Sequence, residues 1–148
     1  MPEASRLIDT NVLVYAYDVS ERAKRQVARS LLGEIWEQGG GAVTLQNLSE
    51  FFVAVTEKVE RPIPPVDAKG IVADILRSAR WVVIDRRAGT VLTAIDLVAS
   101  VGAPYWDALI AACMLEHGIR TILTENERHF TKIPGLTVIN PFKRRPRG

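Results

Sequence analysis

Short apolar runs rich in β-branched residues alternate along the chain with longer segments in which apolar residues recur at helical spacing. The short runs predict strands and the longer segments predict helices. Strands are predicted at 7–8, 42–44, 81–84, 121–123 and 136–139, and helices at 11–17, 21–38, 46–59, 67–78, 88–101 and 104–117. This alternation predicts an α/β fold in which helices cover both faces of a parallel sheet.

Glycine and proline residues separate the predicted elements. Three consecutive glycines at 39–41 end the second helix, because glycine carries a high entropic cost inside a helix. Prolines at 62, 64 and 65 separate the third and fourth helices. The sequence has no internal repeat and no linker long enough to separate two cores. We therefore expect one domain at 1–142, followed by a short basic tail at 143–148.

The composition is typical of an ordinary folded domain. Of the 148 residues, 47% are hydrophobic and 24% are charged, which is unlike a disordered or fibrous chain. The single cysteine, Cys113, leaves no partner for an internal disulfide or a paired zinc site, and we interpret it as a core residue. The N-terminal segment contains acidic Glu3 and no long apolar region, and no apolar run approaches the roughly 20 residues of a membrane span. We therefore expect a cytoplasmic protein.

Basic residues are concentrated at the end of the chain. Four of the 19 lysines and arginines are Lys143, Arg144, Arg145 and Arg147, and the remaining 15 stand against 17 acidic residues. The body of the protein is thus mildly acidic. A basic tail suits contact with phosphate groups, but a solubilising chain end has the same composition.

A second basic feature lies on the second predicted helix. Arg22, Arg25 and Arg29 are spaced to share one face of that helix. The other side is predicted to carry the apolar residues Val27, Leu31 and Ile35. The arginine stripe is either a phosphate-binding surface or an ordinary solvated face.

Asp9 directly follows the first predicted strand, in the segment LIDTN. In an open parallel sheet, ligands bind just beyond the carboxyl ends of the strands, so Asp9 lies at a typical binding position. Alternatively, Asp9 or Thr10 only caps the helix that begins near Asn11, since both residues are favourable N-caps.

Asp107 lies in the first turn of a strongly predicted helix, between Pro104 near its start and Gly118 after its end. An acid at this position is stabilised by the helix dipole, which is one explanation for it. However, its neighbours are Tyr105, Trp106, Ala108, Leu109 and Ile110, which predict a helix buried on most sides. A carboxylate in apolar surroundings is costly unless it is paired or bound to a cation.

Two further polar segments are candidates for chemistry. Glu50 lies on a helix that Thr44 is expected to cap, and it shares a face with Gln46, Asn47 and Glu57 that could simply be the solvated side. The segment LTENERHF follows the fourth strand and so lies at a carboxyl edge. Its Thr124 and Asn126 offer oxygen atoms, but a loop of this composition is also typical of a helix cap.

Taken together, these segments resemble a known family. LIDTNVLVYAYD, LSEF, YWDALIAA and LTENERHF occur in that order, and GLTVINPF precedes the tail. With them the chain resembles the PIN domain family over nearly its whole length, and especially the VapC-type toxins of bacterial toxin–antitoxin pairs. The resemblance implies a three-layer α/β/α sandwich with a central parallel sheet of four to five strands. It also implies a Mg²⁺- or Mn²⁺-dependent endoribonuclease toxin, a cognate antitoxin that inhibits it, and a homodimer.

The resemblance also assigns the site residues. It implies that Asp9, Glu50 and Asp107 are the catalytic and metal-binding acids, and that Thr10 and Asn11 help to shape the site. Thr124 and Asn126 are carried over as supporting residues. Many members have a fourth acid in the segment that reads TENERHF here, where Asn126 and His129 stand at the candidate positions. Glu125 and Glu127 are the alternatives for that role.

The implied chemistry explains why carboxylates are needed. Two carboxylates about 4 Å apart repel each other by about 4 kcal/mol at an effective dielectric constant near 20, and a divalent cation relieves that repulsion. Mg²⁺ prefers hard oxygen ligands. A metal-activated water would attack the scissile phosphate, leaving a 3′ hydroxyl and a 5′ phosphate. The substrate is expected to be single-stranded or looped RNA, with the arginine stripe as a candidate contact.

Two other functions compete with this interpretation. A haloacid dehalogenase-type phosphatase also has an Asp at the end of its first strand, but it needs a second Asp two residues later, where this chain has Asn11. A catalytically inert RNA- or protein-binding module could use the same fold with its acids unused. A rise in melting temperature with Mg²⁺ or Mn²⁺ would argue against the inert module.

Overall fold

The structure is a computed structural model that describes residues 5–143. Its strands are β1 (Arg6–Ile8), β2 (Gly41–Thr44), β3 (Trp81–Ile84), β4 (Thr121–Leu123) and β5 (Thr137–Ile139). Its helices are α1 (Thr10–Tyr15), α2 (Arg22–Gln38), α3 (Leu45–Val53), α4 (Pro65–Arg77), α5 (Ala88–Val101), α6 (Tyr105–Glu116) and α7 (Glu127–Phe130). A π-helical turn, Ala54–Lys58, continues α3. All five predicted strands are present, and the six predicted helices are found with small shifts at their ends.

The five strands form one parallel sheet with β1 at its centre. The strand order is β3-β2-β1-β4-β5. On one side of β1, Leu7 pairs with Ala42 of β2, and on the other it pairs with Ile122 of β4. Strands β2 and β3 therefore follow β1 on one side of it, and the chain then crosses back so that β4 and β5 lie on the other side. The reversal lies between β1 and β4, and such a switch point opens a crevice at the carboxyl ends of the strands.

Helices cover both faces of this sheet, because neighbouring residues of a strand point to opposite faces. Leu7 belongs to the core beneath α5 and α6, whereas Ile8 belongs to the core beneath α1–α4. Both residues are completely buried. The α/β/α sandwich and the parallel five-stranded sheet expected from the sequence are thus confirmed. Cys113 lies in the first of these cores, as expected.

Some details differ from the sequence-based expectations. On α2 the buried face is formed by Ala28, Leu32 and Ile35, whereas Val27 is 38% exposed. The expectation for Val27 was therefore wrong, because the stripe is rotated by one residue. Trp106 on α6 is 62% exposed, although its apolar sequence neighbours are buried. The four-residue helix α7 was not predicted, since one turn is too short to show helical periodicity.

The three glycines end α2 as expected, and the last of them is needed for close packing. Gly39 and Gly40 both have positive φ angles, which glycine adopts without strain. A Cβ atom on Gly41 would lie only 2.6 Å from the Ile35 side chain.

Between residues 5 and 143 no single helix is long and apolar enough to cross a membrane. Helices α5 and α6 reach the necessary length and hydropathy only when taken together, and they are bent by 120° relative to each other.

Candidate active site

Asp9 lies at the carboxyl end of the central strand, where it caps α1 and is only 4% exposed. Its Oδ1 atom accepts hydrogen bonds from the Thr10 backbone N–H at 2.8 Å and from Asn47 Nδ2 at 3.3 Å. Its Oδ2 atom accepts from Thr124 Oγ1 at 2.7 Å and from Asn11 Nδ2 at 3.3 Å. Both readings of Asp9 are thus compatible, because the carboxylate caps the helix and also faces the switch-point crevice.

The environment of Asp9 disfavours its charge. Burial raises the pKa of this carboxyl to about 6, while hydrogen bonds from Thr124 and Thr10 partly oppose the shift. The negative charges of Asp107 and Glu50 raise its pKa further. The three acids, which are far apart in sequence, are therefore close enough to interact electrostatically. A bound cation would relieve the cost of a buried carboxylate beside two like charges.

Glu50 reaches the same place from α3, which begins directly after β2. Thr44 caps this helix and forms a capping box with Asn47, so the expected cap is confirmed. Glu50 itself is exposed, and its Oε1 atom accepts a hydrogen bond from Gln46 Nε2 at 2.7 Å. Its Oε2 atom accepts a long hydrogen bond, 3.4 Å, from Thr10 Oγ1. The helix start therefore aims Glu50 at the end of β1.

Asp107 projects from the first turn of α6. Its side chain is 20% exposed, and its Oδ2 atom lies 2.6 Å from Nδ1 of His129. Burial raises the pKa of Asp107, and the contact with His129 opposes that rise. Sequence reasoning named His129 only as a substitute for an acid, and the contact with Asp107 had no signal in the pattern.

The segment after β4 supplies polar groups on the other side of Asp9. Thr124 is completely buried and also accepts a hydrogen bond from the Asn126 backbone N–H at 3.0 Å. Asn11 Oδ1 accepts from the Glu125 backbone N–H at 3.1 Å. These contacts fix the loop after β4 to the loop after β1.

Glu125 and Glu127 face basic side chains rather than the three acids. Glu125 lies 2.7 Å from Lys24 Nζ, and it accepts a hydrogen bond of 2.6 Å from the Tyr15 hydroxyl. Glu127 pairs with Lys143 at 2.5 Å. Lys143 is the only residue of the expected basic tail within the described range; Arg144, Arg145 and Arg147 lie outside it.

A single open cavity of about 550 Å³ joins most of the predicted site residues. Those that line it are Asp9, Thr10, Asn11, Glu50, Asp107 and Asn126. Thr124 lies beneath it, hydrogen-bonded to Asp9. Tyr15 and Lys58 also line the cavity, and sequence reasoning did not name them. The buried Asn47 was missed as a site residue as well, because the usual sequence signal of a capping box is Glu or Gln at that position rather than Asn.

The donor set is chemically suited to a hard divalent cation, since it consists of carboxylate, hydroxyl and amide oxygens. In residues 5–143, no three His, Cys, Asp or Glu side chains form a group that could hold a metal ion as they are placed. The two outer carboxylates are instead held by Gln46 and His129. Asp9, Glu50 and Asp107 therefore fit a metal in chemistry and in location, with the outer two nearer to solvent than Asp9.

The arginine stripe lines a separate cavity of about 710 Å³ beside the acidic one. Arg22, Arg25 and Arg29 all line it, together with Val19. Asp18 and Ser20 line the acidic cavity instead. The short segment 18–20 is therefore the wall between the two cavities.

Comparison with known families gives one clear match. A sequence model of the PIN domain family matches residues 6–136. A search of curated protein sequences gives no significant match.

Among the solved structures that share this fold are proteins of toxin–antitoxin systems. A toxin–antitoxin complex from Klebsiella pneumoniae superposes with a TM-score of 0.67 at 23% identity, covering 93% of this chain and 98% of the other. VapBC2 from Rickettsia felis, bound to a promoter DNA fragment, gives 0.62 at 20% identity, with 90% and 96% covered. VapC20 from Mycobacterium tuberculosis, a toxin that cleaves the sarcin–ricin loop, gives 0.58 at 15% identity, with 82% and 92% covered. At these identities the likeness shows a shared fold.

Proposed function

The chain belongs to the PIN domain family, and from that premise we propose that it is a Mg²⁺-dependent endoribonuclease that acts as the toxin of a toxin–antitoxin pair. One observation carries this proposal. Asp9, Glu50 and Asp107 come from three separate elements, and all three line one cavity at the carboxyl edge of the sheet. Asp9 also caps α1, but bringing three acids together at a switch point costs stability, because like charges repel. The cluster is therefore not explained by folding alone. It does suit a cation and a phosphate.

Each acid has a different part in this proposal. Asp9 would hold the cation with a carboxylate whose two oxygens are already kept in place by their donors. Glu50 and Asp107, which line the same cavity, would supply the other carboxylate ligands. When bound, Mg²⁺ or Mn²⁺ supplies a more acidic water and neutralises charge on the phosphate oxygens.

Four polar neighbours support these acids. Thr10 Oγ1 accepts a hydrogen bond from Asn47 and donates to Glu50, so it links two parts of the site. Asn11 and Thr124 hold Asp9 Oδ2. Asn126 lines the cavity and offers an amide group to a water molecule. We assign Thr10, Asn11, Thr124 and Asn126 to orienting rather than to direct attack.

The substrate is proposed to be a single-stranded or looped RNA, whose bases are free of pairing. Residues of segment 18–20 line both cavities, with Val19 in the arginine cavity and Asp18 and Ser20 in the acidic one. An RNA strand with its scissile phosphate at Asp9 can therefore extend over this wall and place a neighbouring phosphate against Arg22, Arg25 or Arg29. Such contacts would add electrostatic affinity without base specificity.

The proposed protein partners are a cognate antitoxin and a second copy of the chain, in the cytoplasm. An apolar groove between α3 and α4 is lined by Leu45, Phe52, Val66 and Leu76. Ser49 lines this groove while Glu50 lines the acidic cavity. An amphipathic antitoxin segment in the groove could thus extend a basic side chain to the acids. Loss of RNA cleavage on co-expression with the antitoxin would test this arrangement.

The function is tested by digesting total RNA with the purified protein and mapping the new 5′ ends. We expect cleavage with Mg²⁺ and none with a chelator. Asp9→Asn and Asp107→Asn should each lower the rate by at least about 100-fold while the circular dichroism spectrum stays unchanged. Replacement of all three stripe arginines by Gln should raise KM more than it lowers kcat.

Asp96→Asn is the matched control, because Asp96 is an exposed acid on α5 away from the cavity. It should cleave RNA like the wild type. Cleavage that survives in both Asp9→Asn and Asp107→Asn would refute the nuclease assignment. If the protein is instead a catalytically inert binding module, no variant should cleave RNA, and neither Mg²⁺ nor Mn²⁺ should raise the melting temperature.

A further inference from the structure

The short helix α7 brings one side chain into direct contact with the acidic cluster. His129, its third residue, has Nδ1 2.6 Å from Asp107 Oδ2. The next residue, Phe130, is completely buried in the core beneath α6. The backbone N–H of His129 also donates to the Asn126 carbonyl at 3.1 Å. The backbone of His129 is therefore anchored by its own hydrogen bond to Asn126 and by the buried Phe130 that follows it. This anchoring keeps the imidazole beside Asp107.

The other charged side chains of the same segment point to different partners. Glu125 is held by Lys24 and Tyr15, and Glu127 is held by Lys143. Neither acid lines the acidic cavity. Within residues 5–143, His129 is the only side chain that hydrogen-bonds to the Asp107 carboxylate. The loop after β4 thus acts on Asp107 through an imidazole rather than through a further acid.

The contact determines which oxygen of Asp107 remains available. An ionised carboxylate oxygen can only accept a hydrogen bond. The hydrogen therefore lies on Nδ1, whose N–H donates a hydrogen bond to Oδ2. Oδ1 has no side-chain partner in the described part of the chain. A carboxylate anchored at one oxygen loses rotational freedom before an ion arrives, so less ordering remains when the ion binds.

Resting on the proposed function, we propose that His129 is a positioning residue for the metal site. It holds Asp107 through Oδ2 and leaves Oδ1 for the cation. Side chains that orient a metal ligand in this way typically contribute 10- to 100-fold to metal affinity. In this scheme His129 acts through Asp107, with Nδ1 engaged in the hydrogen bond to Oδ2, and it contributes no atom to the cation.

The test measures Mn²⁺ binding to the full chain by titration calorimetry, without RNA. His129→Ala should weaken Mn²⁺ binding about 10- to 100-fold. His129→Asn should recover most of that loss, because the Asn amide can donate from nearly the position of Nδ1. The melting temperature without metal should stay close to that of the wild type, since the His129 side chain is 46% exposed.

His117→Ala is the matched control. His117 is the other histidine of the chain, it is exposed at the far end of α6, and its Nδ1 contacts the Cys113 carbonyl. It should bind Mn²⁺ like the wild type. Should His129→Ala fail to fold, His129→Leu fills the same space without a donor and is expected to show the same loss.

The outcomes separate this inference from the proposed function. Unchanged Mn²⁺ affinity in His129→Ala, or tighter binding because His129 competes with the ion, would overturn the positioning role and leave the metal site standing. An equal loss in His129→Asn and His129→Ala would also overturn it. Wild-type protein that binds no Mn²⁺ would instead overturn the metal site, and with it the proposed function.

Discussion

Two acids of the same cavity are held in opposite ways. Asp9 is 4% exposed and accepts hydrogen bonds from Thr10, Asn47, Thr124 and Asn11. Asp107 is 20% exposed and is held by one contact, with His129. Asp9 is therefore fixed by the segments that directly follow β1, β2 and β4, whereas Asp107 depends on one side chain from a short helix.

This difference shows how the protein can combine rigidity with adjustment in one site. The desolvation of Asp9 is a cost of folding, because it is present before any ligand binds. The donors around it partly offset that cost. Asp107 and Glu50 lie nearer to solvent, so their positions can change without repacking the core. We expect substitutions at Asp9 to affect folding stability and function together, and substitutions at the outer acids to affect function with smaller effects on stability.

The largest expected effect on stability concerns the pH dependence of the metal-free protein. The pKa of Asp9 is raised from 3.8 to about 6, so the folded state keeps this proton in a pH range where the unfolded state has released it. Stability from this group is fully present below about pH 4 and is lost as pH rises through 6, by about 3 kcal/mol in total. The difference between wild type and Asp9→Asn, measured by urea unfolding with a chelator from pH 4 to 7, should show this loss.

Asp107→Asn sharpens the same experiment. Burial also raises the pKa of Asp107, so its effect has the same sign. However, solvent screens this partly exposed carboxyl, and its contribution should be smaller than that of Asp9. If the pH dependence of the free energy of unfolding changed equally in the two variants, the proposed contrast between a buried acid and one nearer to solvent would be wrong.

A smaller effect is expected from a single donor to Asp9. Thr124→Val keeps the shape of a completely buried side chain but removes the 2.7 Å hydrogen bond to Oδ2, together with the oxygen that accepts from the Asn126 backbone N–H. Hydrogen bonds to charged groups contribute about 2 kcal/mol, so the free energy of unfolding at pH 7 should fall by about that amount. Thr93→Val is the control, because Thr93 is exposed on α5 and bonds only to its own helix. A loss in Thr124→Val no greater than in this control would mean that Asp9 is not held in the way described.

The smallest effect on stability is expected at Glu50. Glu50→Gln alters an exposed side chain whose partners are Gln46 and Thr10. Exposed substitutions of this kind usually change the free energy of unfolding by less than about 0.5 kcal/mol. The same variant should nevertheless weaken Mn²⁺ binding, which calorimetry would show. A destabilisation as large as that of Thr124→Val would mean that Glu50, like Asp9, is an integral part of the folded structure and not an outer acid near solvent.

Local patterns predicted most of the elements, and the errors occur where the pattern is ambiguous. Helix α2 was predicted, but Val27 was assigned to its buried face although Ala28 lies there. Neighbouring positions on an amphipathic helix differ little in periodicity, so the sequence could not resolve this rotation. Trp106 is apolar and yet 62% exposed, although Ala108 in the same turn of α6 is completely buried.

The candidate site was named from motifs, but the contacts within it were beyond sequence reasoning. Asp9, Glu50 and Asp107 were identified by resemblance, and the structure brings them to one cavity. The contact between His129 and Asp107 spans 22 positions. The pairing of Glu125 with Lys24 likewise joins two distant segments. Neither pair has a characteristic spacing, since each depends on how a loop after β4 packs against another element.

The motifs of the sequence identified the candidate acids by resemblance, and its local patterns determined the alternation of strands and helices and the helix boundaries set by Thr44 and the glycines at 39–41. These features are local, because hydrophobic period, capping and glycine flexibility act within a few residues. Tertiary structure alone decided that β1 lies between β2 and β4. That order places the segments that follow β2 and β4 on either side of Asp9, so Asn47 and Thr124 both reach its carboxylate. Strand order depends on how both helical layers pack against the whole sheet, and no short stretch of the chain contains that information.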